Sequence, residues 1–141
     1  MSKVIDRPQL LFLALAPIVL ISGLINKGGT LVINIHDTYL VSDVWYIALY
    51  STVFFLMIAL NYQVISYAKK KPIRTFTIIH IALQLLSLLP LIYIFFTSTS
   101  EKSYDEEEQQ NITLALSFLV FLLATVVHFI NLILSLVRKK E

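Results

Sequence analysis

The chain has 141 residues, 57% of them hydrophobic and 14% charged, and a mean hydropathy of +0.80, whereas water-soluble domains carry about 25% charged residues. This composition excludes an ordinary soluble domain and indicates an all-α integral membrane protein. The absence of cysteine excludes disulfides, thiolate catalysis and iron–sulfur ligation, and the net charge of +2 is split among short clusters that form no nucleic-acid-binding face.

Hydrocarbon about 30 Å thick needs roughly 20 mostly apolar residues per spanning helix, and four segments reach that length: 10–25, 44–67, 75–97 and 112–137. The first follows a basic start, "MSKVIDRPQ", which is also how a secretory signal begins. No small-residue cleavage site follows, so this segment is expected to stay as an anchor. Pro17 within it and Pro90 within the third segment each remove a backbone donor, and both helices are expected to kink or loosen there.

Beyond the first segment, "GLINKGGTLVINI" sets Gly28 and Gly29 in a turn and then a short extended apolar stretch. The polar motif His36-Asp37-Thr38-Tyr39 follows and has two readings. In one, Asp37 caps a second helix that begins near Thr38, its carboxylate accepting from free N–H groups and suiting the helix dipole, with His36 to Tyr39 as a cap or a partner contact. In the other, His36, Asp37 and Asp43 bind a metal, since an imidazole and two carboxylates are suitable transition-metal ligands.

The second and third segments are separated by "AKKKPIR", where Pro72 turns its predecessor away from helix. So short a turn implies that these two helices are antiparallel neighbours. Before the fourth segment, "STSEKSYDEEEQQN" reads as a solvated acidic loop, with a partner-binding patch as the alternative. Asn111-Ile112-Thr113 is a formal glycosylation sequon, but it abuts the expected membrane boundary and carries little weight.

Basic residues near span ends stay on the cytoplasmic side. With both termini cytoplasmic, Lys3, Arg7, Lys69, Lys70, Lys71, Arg74, Arg138, Lys139 and Lys140 lie inside, against Lys27 and Lys102 outside. The expected topology therefore puts His36 to Asp43 on the outer face. Tyr39, Trp45, Tyr46 and Tyr93 fit the outer headgroup level, and Tyr62 and Tyr67 the inner one.

Polar residues within the apolar segments must find partners away from water. Counted from the basic ends, Asn61, His80 and Asn131 fall within a turn of one level, and Gln84 and His128 share a second. The plain reading of these five is an interhelical polar layer, with no cofactor. The sharper reading has His80 and His128 ligating a b-type haem, or the polar group holding a quinone headgroup. The depth count separates the two histidines by about four residues, or roughly 6 Å. No Gly-rich phosphate loop, H-E-x-x-H or G-x-S-x-G occurs, so no catalytic residue is assigned.

"HDTYLV" followed by an aromatic-rich apolar helix resembles one segment of the haem-copper (cytochrome c) oxidase catalytic subunit, over about Ile35 to Ser51. In that family the tetrapeptide begins a transmembrane helix on the outer side, near haem propionates and a bound magnesium. The family's haem-ligating histidines would fall at Val44 and Tyr46, with Trp45 between them, so the resemblance implies the helix without its haems. Short four-span bacterial proteins that keep "NIHDTY" before the second span are also similar, and imply a fold without a reaction.

The expectation is one membrane domain over 1–141. It forms an antiparallel four-transmembrane-helix bundle of the bacterial inner membrane, both termini cytoplasmic, in contact with lipids and other membrane-protein subunits. The expected function is that of a non-catalytic small subunit of a larger complex, with the oxidase-like helix pointing to a respiratory one. The alternative is an independent haem b- or quinone-binding four-helix protein.

Overall fold

The computed structural model describes residues 5–35, 38–97 and 104–138. Among them are four long helices, α1 (Pro8–Ile25), α2 (Val44–Tyr67), α3 (Arg74–Thr97) and α4 (Tyr104–Val137), and one antiparallel hairpin, β1 (Thr30–Ile35) with β2 (Thr38–Asp43). By length and composition, three helices can cross a membrane: α1, α2 and the Glu108–Val137 part of α4. Helix α3 is 24 residues long, and its described part includes the apolar stretch Arg74–Pro90. Both α1 and α3 continue through their internal prolines.

On α3 and α4 the burial pattern is inverted relative to a soluble bundle. On α3 the buried residues are Thr77, His80, Gln84, Ser87 and Leu88, while Ile78, Ile79, Leu85, Leu86 and Leu89 are exposed. On α4, Ser117, Ala124, His128, Asn131 and Ser135 are buried, and Leu116, Phe118, Leu119, Leu123, Val126 and Ile133 face out. Steps of three and four keep each set on one helix face. In water so extensive an apolar exterior would aggregate. Its natural solvent is lipid, which leaves polar groups to bond with one another inside.

Close packing is densest between α1 and α2 and between α3 and α4; α2 touches α4 and α1 touches α3 more lightly. The consecutive helices α2 and α3 are therefore not close neighbours, contrary to the inference from the short "AKKKPIR" turn. They lie across the middle of the bundle, and side chains rather than backbones span the gap. Small residues bring α1 and α2 together: a Cβ on Gly23 would overlap the Ala48 methyl, and Thr52 Oγ1 reaches the Ala16 carbonyl at 3.4 Å while bonding its own Ala48 carbonyl at 2.7 Å. Phe12 stacks on Tyr62 with ring centroids 6.0 Å apart and lies beside Phe55 at 6.1 Å.

Helix α2 begins at Val44 and not near Thr38, because Thr38–Asp43 pairs residue by residue with Thr30–Ile35. Thr30, Val32, Ile33, Ile35, Thr38 and Val41 are β-branched and suit a pleated ribbon. The first N–H of α2 goes to the Gly29 carbonyl at 2.9 Å, and Asp43 makes no side-chain cap. The expected Asp37 cap falls on a residue outside the described ones, and the helix it would have capped starts seven positions later.

The acidic stretch before the fourth apolar segment is also helical: α4 starts at Tyr104, before the expected 112. Glu and Gln are good helix formers, and acidic residues in a first turn suit the dipole, so "YDEEEQQN" extends the helix instead of forming a loop. At the other end of α2, Lys69 takes φ 54°, with Lys69 N bonded to the Ser66 carbonyl and Lys70 N to the Ile65 carbonyl. This pair of bonds is a Schellman termination built on lysine in place of glycine. The Lys70 ammonium then donates to the Leu136 carbonyl near the end of α4, where a cation suits the dipole.

Candidate functional site

The buried faces of α2, α3 and α4 meet in a cluster of polar side chains. His80 and His128 pack ring against ring, with centroids 4.7 Å apart and planes tilted by 34°. Tyr62 pairs with His80 Nδ1 at 2.9 Å across the bundle. The Asn61 amide nitrogen, which can only donate, bonds His128 Nε2 at 3.1 Å. Phe12 of α1 closes one side, its ring 5.1 Å from that of His80.

One level toward the α2–α3 turn, Asn131 ties α4 to the start of α3. Its Oδ1 accepts from the Ile73 N–H at 3.0 Å and from the Ser135 hydroxyl at 3.2 Å, and its Nδ2 donates to Thr77 Oγ1 at 3.0 Å. A side chain of one helix thus satisfies an N–H at the open end of another. This contact also corrects the depth count. Asn131 lies level with Ile73, so Arg138, seven residues further along α4, lies about 10 Å beyond Arg74 and not beside it. The two basic ends are staggered, so the depth count from them does not hold, and His80 and His128 meet ring to ring.

The structure therefore brings Asn61, His80 and His128 together, joins Asn131 to Thr77 just below, and buries Gln84 one turn above His80 on α3. Tyr62, expected at headgroup level, is 1% exposed and belongs to the cluster. Tyr46, Tyr67 and Tyr93 are exposed. Depth could have separated the two inner tyrosines: Tyr62 lies five residues inside the end of α2, and Tyr67 is its last residue. Asp43 closes β2 opposite Thr30, while His36 and Asp37 lie outside the described residues. Among the described residues no three of His, Cys, Asp or Glu are grouped to hold a metal.

Haem does not fit between these histidines. Axial ligation needs two imidazoles on opposite sides of a macrocycle, whereas His80 and His128 are packed at ordinary aromatic stacking distance, with Phe12 and Tyr62 against them. Among the described residues three buried atoms in this region have no partner: His80 Nε2, Gln84 Oε1 and His128 Nδ1. A buried polar group left unpaired costs about 1–3 kcal/mol.

Gln84 also lines a half-open cavity of about 670 Å³ between α2, α3 and α4. Its walls are mainly apolar, from Ile47, Phe54, Phe55, Leu88, Leu114 and Phe121, and Leu31 of the hairpin reaches them from β1. Leu31 is 2% exposed and packs on Leu114 beside Ile47, covering the hairpin end. Tyr50 of α2 and Phe118 of α4 line the cavity yet are exposed, so the mouth faces sideways between these helices. No family model, curated protein or solved structure matches this chain. The oxidase likeness rests on its short motif alone.

Proposed function

We propose that this protein is a four-span, up-and-down helical bundle of the bacterial inner membrane, both termini cytoplasmic, that binds a lipid-soluble small molecule in the cavity beside its polar cluster. The alternating direction is supported by the contacts. Gly23 meets Ala48 and Phe12 meets Tyr62, which run in opposite senses along α1 and α2; Phe54 meets Phe121 and Asn61 meets His128, which run in the same sense along α2 and α4. The hairpin supports the placement of one end outside the hydrocarbon, because a two-stranded ribbon has unpaired backbone edges that lipid cannot satisfy. The charge distribution makes the opposite, lysine-rich end cytoplasmic.

The observation that carries the binding role is Gln84 Oε1, a buried and unpartnered acceptor in the wall of an otherwise largely apolar cavity. Ligand sites combine apolar walls with a few polar groups that fix orientation, in volumes of about 300–1,000 Å³. The haem half of the expected cofactor alternative does not suit the histidine geometry, and a quinone-like amphiphile remains. Lipid covers the outer apolar faces as readily as protein would, so the accessory-subunit reading stands on the sequence likeness alone.

The test is extraction of the tagged protein from its native membrane in gentle detergent, with an absorption spectrum and mass spectrometry of lipids and proteins on one eluate. The expected result is a colourless protein with a neutral amphiphile that is lost from an Ala115→Trp variant, whose ring would fill the cavity. Stoichiometric partner proteins without a retained amphiphile would overturn the binding role in favour of an accessory subunit. A Soret band would overturn the exclusion of haem.

A further inference from the structure

The cavity has its floor at mid-membrane and its opening in the side. Its lining runs along α4 from Asn111 to Phe121 and along α2 from Ile47 to Phe55, which is about 15 Å and about 12 Å of helix. Phe55 is the twelfth of the 24 residues of α2, so the deep end lies halfway along a spanning helix. The height of the cavity thus matches one leaflet, half of a hydrocarbon layer about 30 Å thick. The surface that its walls present is almost entirely apolar, and among the described residues that line it there is no Asp, Glu, Lys or Arg. The Ser87 and Ser117 hydroxyls already donate to the Gln84 and Thr113 carbonyls, at 2.8 and 2.7 Å. An amide such as Gln84 can orient a ligand, but it cannot replace the water around a phosphate, a sugar or an ammonium.

The gap between α2 and α4 is shut at both ends of the cavity and open between them. At the floor, Phe54 and Phe121 meet across it with ring centroids 4.7 Å apart. At the hairpin end, Leu31, Leu114 and Ile47 pack together over it. Tyr50 and Phe118, 69% and 59% exposed, flank the window that remains, and both belong to spanning helices, so the window faces lipid chains and not water. We infer that the cavity holds a hydrocarbon chain of a lipid from the leaflet on the hairpin side, threaded sideways between α2 and α4 with its methyl end toward Phe55 and its head left outside at the level of the hairpin. This rests on the proposed binding role and narrows it to the tail of the amphiphile. A chain that already spans one leaflet has the length of the cavity and exchanges one apolar surrounding for another, whereas a polar head would leave its water for walls that offer almost no polar surface.

The experiment uses phosphatidylcholine carrying a photoactivatable diazirine near the carboxyl end of one acyl chain, near its methyl end, or on the head, in nanodiscs holding the full-length protein. Mass spectrometry after illumination locates the adducts. The carboxyl-end probe is expected to mark Ile47 and Leu114, and the methyl-end probe to mark Phe55 and Leu88, which are 1% and 7% exposed and out of reach of lipid around the bundle. The head probe is expected to mark neither pair. Ala115→Trp is expected to cut the marking of Phe55 and Leu88 at least tenfold while leaving that of the outward-facing Ile133 unchanged. Methyl-end marking of Ile133 without Phe55 and Leu88 would overturn the threaded chain; the binding role would still stand if an amphiphile sensitive to Ala115→Trp is retained from the native membrane, and would fall with it if none is. Head-probe marking of Phe55 and Leu88 would overturn the entry of the tail alone. A carboxyl-end probe found at Phe55 and a methyl-end probe at Ile47 would overturn the choice of leaflet. Should Ala115→Trp fail to fold, the order of marking with depth in the unaltered protein decides.

Discussion

Asn131 and Tyr62 both bridge helices, yet they carry different weights. Tyr62 contributes one hydroxyl to His80. Asn131 holds the Ile73 N–H, Thr77 and Ser135 together, and so fastens the start of α3 to α4. Interhelical hydrogen bonds in membranes average about 0.6 kcal/mol, because the unfolded chain in lipid also finds partners. Tyr62→Phe is therefore expected to cost about 0.6 kcal/mol, and Asn131→Ala about 1.2 kcal/mol, since two interhelical bonds go at once. Reversible unfolding of the two variants by SDS in mixed micelles measures the difference. An Asn131→Ala cost no larger than that of Tyr62→Phe would show that α3 does not depend on its cap from α4. The importance of Asn131 was half legible in the sequence: an Asn inside an apolar run needs a partner, but nothing local says that the partner is the first turn of another helix.

At the scale of elements, the long apolar runs fixed the helices well, because hydrocarbon thickness imposes a length that local sequence must meet. The expected 44–67 coincides with α2, and 75–97 differs from α3 by one residue. The failures lie where that constraint ends. The hairpin has no hydrocarbon to span, and its pairing depends on a partner strand that a helix-cap reading of His36 to Tyr39 overlooked. The early start of α4 follows Glu and Gln propensity, which a search for apolar runs does not weigh. Pairing between helices is the least legible feature, since each apolar helix offers several faces that lipid would accept. The α1–α2 contact is settled instead by size. Gly23 lies against Ala48 with no room for a methyl group, so Gly23→Ala is expected to cost about 1–3 kcal/mol through overpacking. Ala48→Gly in the same chain is expected to restore most of that loss. A double-mutant cycle measures the coupling, and additive losses would mean that the two positions do not meet.

Across the whole molecule, one distribution links topology to the cavity. The basic residues gather at the α2–α3 turn, before α1 and at the end of α4, while the hairpin, with the cavity just beneath it, occupies the opposite end. If the lysine-rich end is cytoplasmic, the cavity lies in the outer half of the bilayer and its mouth between α2 and α4 samples the outer leaflet. The natural lack of cysteine makes this measurable, because any introduced thiol is unique. Lys71→Cys, in the α2–α3 turn, is expected to resist a membrane-impermeant maleimide on intact cells and to react after permeabilisation. Lys27→Cys, beside the hairpin, is expected to react from outside at once. The reverse pattern would invert the protein and move the cavity to the cytoplasmic leaflet, so that any ligand of the proposed site would come from the other pool of lipid. Labelling of both positions from outside would mean that α2 does not cross the membrane; since the Tyr62–His80 and Asn61–His128 bonds both depend on α2, the polar cluster could not then be an intramembrane one.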